Sequence, residues 1–286
     1  MKFSDFEYLA PTTPEEVVAI LKQYPGEAKI LSGGQSLLST MAFRFAQPRY
    51  LVDLRNVAGL GNIDASADEI RIGARTRWCE VESSAVLRQH HPLLQEAITH
   101  VAHYQIRNRG TVGGSLAHAD PASEFPCIVA TSDARVRVLG PDGERFVDAK
   151  DFLLGPLTTS LQDDEMIVAI HFPPWHPSRK WAFSEFARRP GDFALAGVAL
   201  FYDPDADGTV RNAHIGVVGA CQHAMRLAEA EAALDGKRID QDTARRVAQT
   251  AAREVDPGDD FHATAEYRRA LVHTLLERAL LQAAGR

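Results

Sequence analysis

Hydrophobic positions along this chain follow two periods, which alternate through the first two thirds before helix takes over at the end. Val17, Ile20 and Leu21 recur at helical spacing behind Thr13-Pro14-Glu15-Glu16. Thr13 is placed to cap, Pro14 to open and Glu16 to close a capping box, and Pro25-Gly26 stops the helix. The apolar runs 28–31 and 50–53 read as strands around a helix carrying Leu37, Leu38 and Met41, a small βαβ-like unit. Residues 69–73 alternate as a strand. Thr76 is placed to cap a helix over 77–87, and Pro92 opens another with Leu93, Leu94, Ala97 and Ile98 on one side. Strands are expected at 134–139 and 145–147 across a Pro141-Asp142-Gly143 turn, and at 166–172, with Asp148 capping a short helix through Phe152. Beyond Pro173-Pro174, residues 181–186, 193–202 and 210–218 read as three strands. Helices are expected over 226–234, 243–254 and 263–281.

The pattern predicts an α+β chain in three parts: residues 1–55, 56–175 and 178–286. Composition narrows what it can do. The 286 residues carry a formal charge of −7 with no basic block, which argues against nucleic acid as a partner. No apolar run reaches the roughly 18 residues of a membrane span. The opening M-K-F-S-D-F-E has no signal-peptide core, so a cytoplasmic protein is expected. Cys79, Cys127 and Cys221 are too scattered to hold an iron–sulfur cluster or a zinc ion, and read as reduced packing residues.

Two stretches concentrate small residues and donors. Ile30 to Leu38 leaves a strand-like run through Ser32, Gly33, Gly34, Gln35 and Ser36. The second, 107–126, reads R-N-R-G-T-V-G-G-S-L-A-H-A-D-P-A-S-E-F-P. Glycines let backbone approach a ligand closely, and consecutive N–H groups can converge on an anion. Two such loops suit a ligand with a pyrophosphate at its middle. Neither a P-loop nor a G-x-G-x-x-G fingerprint is present, and no H-E-x-x-H. No side chain reads as a nucleophile or general base with partners, so a bound cofactor is expected to supply the chemistry. Asp120-Pro121 and Asp192 read as turn devices.

The stretches S-G-G-Q-S-L-L, R-N-R-G-T-V-G-G-S-L-A-H-A-D-P-A-S-E, A-R-R-P-G-D-F-A-L-A-G-V-A and A-T-A-E-Y-R-R resemble the FAD-binding medium subunits of molybdenum hydroxylases, over nearly the whole chain. The resemblance implies a vanillyl-alcohol-oxidase-type (PCMH-type) FAD-binding domain of two subdomains, 1–55 and 56–175. A carbon monoxide dehydrogenase flavoprotein-like C-terminal domain, 178–286, with a three-stranded antiparallel sheet and helices, would follow. It implies that Ser32, Gly33, Gly34, Gln35 and Ser36 form one wall around the FAD pyrophosphate, and Thr111, Gly113, Gly114 and Ser115 the other. His118 would lie near the adenosine end or pack under the loop. Glu124 would hold a ribose hydroxyl, or stand as a solvated loop charge. Leu161 would meet the flavin, and Phe193 would cover one face of its ring. Glu185 stands where the carbon monoxide dehydrogenase branch has a lysine near that ring, with Arg188 and Arg189 as substitutes or surface residues.

The resemblance further implies a heterotrimeric oxidoreductase. A large subunit with a molybdenum cofactor would hydroxylate a small, N-heterocyclic substrate, and a small subunit with [2Fe-2S] clusters would carry electrons to this FAD and on to an external acceptor. A dimer of heterotrimers is expected. The rival readings are a stand-alone FAD oxidase or dehydrogenase of the same fold, and a non-catalytic FAD-binding assembly subunit.

Overall fold

The computed structural model describes residues 2–285. Thr13 caps the Pro14–Gln23 helix by accepting from the Glu16 N–H, while the Glu16 carboxylate takes the N–H groups of Thr12 and Thr13. Val17, Val18 and Leu21 bury one side of this helix. The strands Ala28–Leu31 and Tyr50–Asp53 pair in parallel, as the pattern requires. A third strand, Glu7–Leu9, lies parallel to Tyr50–Asp53 on its other side. Three residues at an exposed edge gave the sequence no periodicity to read.

A second sheet of five strands runs in the order Ile63–Ala65, Ile70–Gly73, Met166–Phe172, Arg135–Gly140, Gly143–Asp148, antiparallel throughout. Met166–Phe172 is its centre, and every residue in it is buried. The helix expected over 77–87 divides into Trp78–Ser83 and Ala85–His90, because Ser84 is extended and its hydroxyl accepts from the Leu87 N–H. Thr76 is not the cap. The N-cap position of the first helix is Arg77, whose N–H is held by Glu80 at 2.8 Å, while the Thr76 hydroxyl is buried without a partner.

The third sheet aligns Lys180–Phe186, Ala196–Pro204 and Val210–Val218 antiparallel, and a two-residue strand, Met225–Arg226, adds a fourth. Its two faces serve different cores. Val198, Leu200 and Tyr202 pack with the helices Ala228–Leu234, Gln241–Glu254 and Ala265–Ala284. Phe183, Ala199 and Phe201 join the core of the second sheet. The helix Glu124–Thr131, buried at every position, packs on this second face. It approaches so closely that a Cβ on Gly216 would meet the Thr131 Oγ1 at 1.8 Å. No helix among the described residues is long and apolar enough to cross a membrane.

Candidate cofactor site

The chain leaves the Ala28–Leu31 strand through Ser32 to Ser36, with Gly34 left-handed at φ +74°. Ser36 then precedes the six-residue helix Leu37–Ala42 without a side-chain cap. Among the described residues, the main-chain N–H groups of Gly33, Gly34, Gln35 and Ser36 find no acceptor in the protein. Four consecutive donors are thus left for a ligand, and unmet backbone donors of this kind are uncommon away from water or a bound group.

The glycines of the second stretch lie in a helix, not a loop. Thr111 caps Val112–His118, and its hydroxyl accepts from the Gly114 N–H at 3.2 Å. The N–H groups of Val112 and Gly113 go to the carbonyls of Thr76 and Ala74, at 3.0 and 2.8 Å. The expected anion nest is therefore absent here: those donors are satisfied inside the protein, and neither Gly113 nor Gly114 is left-handed. The glycines serve packing. A Cβ on Gly113 would lie 2.7 Å from that of Ala74, and one on Gly114 would lie 2.8 Å from the Thr111 Oγ1. The two stretches are bound together, Ser32 Oγ to Thr111 Oγ1 at 3.0 Å. Gly33 sits against the Arg109 carbonyl, with only 2.3 Å for an added Cβ.

Between them opens a cleft of about 730 Å³. Ser32, Gly33, Gly34, Gln35 and Ser36 form part of its wall, and Thr111, Gly113, Gly114 and Ser115 another part. His118, Glu124, Leu161 and Phe193 also line it. Glu185 does not: it is set back, and its Oε2 is buried with no hydrogen-bond partner. Sequence reasoning missed Lys29, Trp78, Ile106, Leu157 and Glu165, which are among the other residues of the wall. Of these, Leu157 carried a local signal only in hindsight, as the left-handed residue (φ +53°) of a turn after Pro156.

The electrostatics centre on two carboxyls. Glu124 is 6% exposed, and burial pushes its carboxyl up to about 7. It opens the Glu124–Thr131 helix, so it is no solvated loop charge. Burial also raises Glu185 to about 8, the Glu124 charge adding to the effect. Phe193 is 65% exposed at the cleft and precedes its strand rather than starting it, since the Leu195 N–H turns back to the Phe186 carbonyl. Gly191, at φ +86°, lets this loop close on His103, whose Cε1 would lie 2.2 Å from a Cβ. Arg188 is engaged with the His262 carbonyl, and neither it nor Arg189 is on the cleft wall. Asp120 accepts from the Ala122 N–H at 2.9 Å, the turn role expected of it. No cluster of His, Cys, Asp or Glu among the described residues could hold a metal.

Comparison with known proteins places this architecture. The family described as FAD binding domain in molybdopterin dehydrogenase matches residues 4–175, and the carbon monoxide dehydrogenase flavoprotein C-terminal domain matches 181–283. The chain belongs to the FAD-binding medium subunits of the molybdenum hydroxylases. Within this family it is 38% identical to the nicotine 6-hydroxylase medium subunit of Paenarthrobacter nicotinovorans, over 100% of both chains. It is 34% identical to the carbon monoxide dehydrogenase medium chain of Hydrogenophaga pseudoflava, over 96% of each. Two solved structures superpose on it. A carbon monoxide dehydrogenase of Hydrogenophaga pseudoflava gives a TM-score of 0.97 at 36% identity, and quinoline 2-oxidoreductase of Pseudomonas putida 86 gives 0.95 at 38%; each match covers 100% of this chain and 99% of the other. The protein is thus the flavoprotein component of an oxidoreductase, with FAD as its cofactor. The site fits that cofactor: four unclaimed N–H donors on a glycine turn, in a cleft that also holds a buried carboxyl able to accept from a hydroxyl.

Proposed function

We propose that this chain is the electron-carrying FAD subunit of a three-component, cytoplasmic molybdenum hydroxylase, in parts spanning 1–55, 56–175 and 178–286. The observation that carries the site assignment is the row of unsatisfied N–H groups at Gly33, Gly34, Gln35 and Ser36. They would hold the pyrophosphate without a lysine, since charge-assisted bonds from several amides stabilise an oxyanion. Thr111, Gly113, Gly114 and Ser115 would shape the opposite wall, and Ser32, tied to Thr111, would fix the spacing. Glu124 would accept from a hydroxyl of the ligand, His118 and Leu161 would bound it, and Phe193, exposed on the Gly191 turn, would lie against a ring face. Glu185, behind Glu124, would act on the cofactor only through its protonation state and not by contact.

FAD when bound supplies the electron exchange, taking electrons from [2Fe-2S] clusters of a small subunit and yielding them to an external acceptor. The protein orients it and limits its exposure to water. Hydroxylation of a small N-heterocyclic substrate would take place on a large molybdenum subunit, in a dimer of heterotrimers. That relatives are subunits of nicotine 6-hydroxylase, caffeine dehydrogenase and carbon monoxide dehydrogenase supports this division. The test is the composition of the complex that copurifies with this chain from its native cells. Molybdenum and iron with two further polypeptides are expected; FAD alone with substrate turnover would make it a stand-alone oxidase.

A further inference from the structure

Beside the FAD cleft, and sharing Ser32, Gly33, Gly34 and Thr111 with its wall, lies a second cavity of about 330 Å³. Its remaining lining is dominated by Arg55, Arg75, Arg77 and Arg109, against the single acid Asp53. That acid is already spent. Asp53 is 4% exposed, its Oδ2 accepts from Arg55 Nε at 2.7 Å and Tyr8 Oη at 2.8 Å, and its Oδ1 accepts from the Arg55 N–H. Among the described residues, the side chains of Arg75, Arg77 and Arg109 form neither a hydrogen bond nor an ion pair, and the Arg75 Nε is buried with no partner at all. The arginines come from two different segments of the fold, the approach to the Trp78–Ser83 helix and the approach to Thr111, so no single helix face explains their convergence.

Three guanidinium groups gathered without counter-charge repel one another, and a buried donor left unmet has a cost. The chain as a whole carries −7, so the cluster is not a consequence of a basic composition. Guanidinium forks match the oxygens of carboxylates and phosphates in pairs. One carboxylate would balance only one of the three, whereas a tetrahedral dianion offers enough oxygens for all. We propose that this cavity is a second oxyanion site that takes a phosphate dianion, either free or at the end of a nucleotide, in addition to the pyrophosphate held in the larger cleft. The site stands on the arginines alone and holds whichever nucleotide fills its neighbour.

The test is calorimetric titration of the full chain, carrying its FAD, with inorganic phosphate and separately with ADP, while flavin absorbance reports retention of FAD. Phosphate is expected to saturate one site per chain without releasing FAD. Arg75→Met, and the Arg77→Gln/Arg109→Gln pair at exposed positions, should each weaken binding at least tenfold, and the exposed Arg135→Gln on the five-stranded sheet should not. The double variant keeps the test open if loss of the partly buried Arg75 disturbs folding. ADP binding more than tenfold tighter than phosphate assigns the site to a nucleotide; a smaller difference assigns it to free phosphate. The proposal fails if phosphate does not saturate, if both arginine variants bind as wild type, or if either anion displaces FAD one for one. The last result would give the arginines to the FAD pyrophosphate and leave the FAD reading intact.

Discussion

A methyl group on Gly33 would lie 2.3 Å from the Arg109 carbonyl oxygen and 2.8 Å from the Gly110 Cα, so the two stretches that form the cleft could not keep their contact. Gly33→Ala is expected to weaken FAD binding at least tenfold while far-UV circular dichroism is unchanged. Gly155→Ala, with no atom within 4 Å of the new carbon, should bind as wild type. Fluorescence titration of the apoprotein decides between them, and equal affinities for Gly33→Ala and wild type would remove this turn from the site. Glu185 makes a second prediction. Its carboxyl is raised to about 8 and that of Glu124 to about 7, both above the unfolded value, so the folded chain holds more protons than the unfolded one between about pH 4.5 and 8. Their contribution is complete below the unfolded pKa and is lost as pH rises through the folded one. Stability of the apoprotein to urea should therefore fall from pH 5 to pH 8. Glu185→Gln should flatten that fall by on the order of 1–3 kcal/mol. Parallel curves for the two proteins would mean that Glu185 gains its missing partner in solution.

Elements with one apolar stripe or a cleanly bounded apolar run announced themselves. The Pro14–Gln23 helix has a capping box and one buried stripe, and Met166–Phe172 is a bounded apolar run; both lie where the pattern put them. The helix Glu124–Thr131 did not, because it is buried on every side and therefore has no period to detect. The same holds for the second glycine stretch. Its composition promised a phosphate nest, yet its N–H groups are consumed by Ala74, Thr76 and Thr111, partners that only the tertiary fold brings near. The residues expected at the site all reach the cleft wall except Glu185, while much of the apolar remainder of that wall, such as Trp78 and Ile106, lies outside the motifs. Glu185 failed because strand register, not spacing, decides direction: it sits opposite Gly197 on the face turned to the buried helix. That helix yields a test of its own. Gly216→Ala would drive a methyl to 1.8 Å from the Thr131 Oγ1, and is expected to destabilise the protein by about 1–3 kcal/mol, measured by urea unfolding. No loss of stability would show that the helix can slide off the sheet without penalty.

At the scale of the molecule, one sheet buried on both faces ties the second sheet's core to the C-terminal helices, while the cleft sits between that core, through Trp78 and Ile167, and the N-terminal one, through Leu54 and Met166. The redox chemistry is that of the FAD the chain holds. Retention is expected to come from amides, a buried carboxyl and apolar walls. The isolated chain should accordingly bind FAD that a chemical reductant bleaches, yet leave it oxidised with any hydroxylation substrate. The deciding measurement is acid denaturation of the purified chain followed by ultrafiltration, with flavin quantified on both sides of the membrane. One FAD per chain, all of it in the filtrate, is the result expected; flavin retained on the protein, or a chain that binds no FAD at all, would contradict the account.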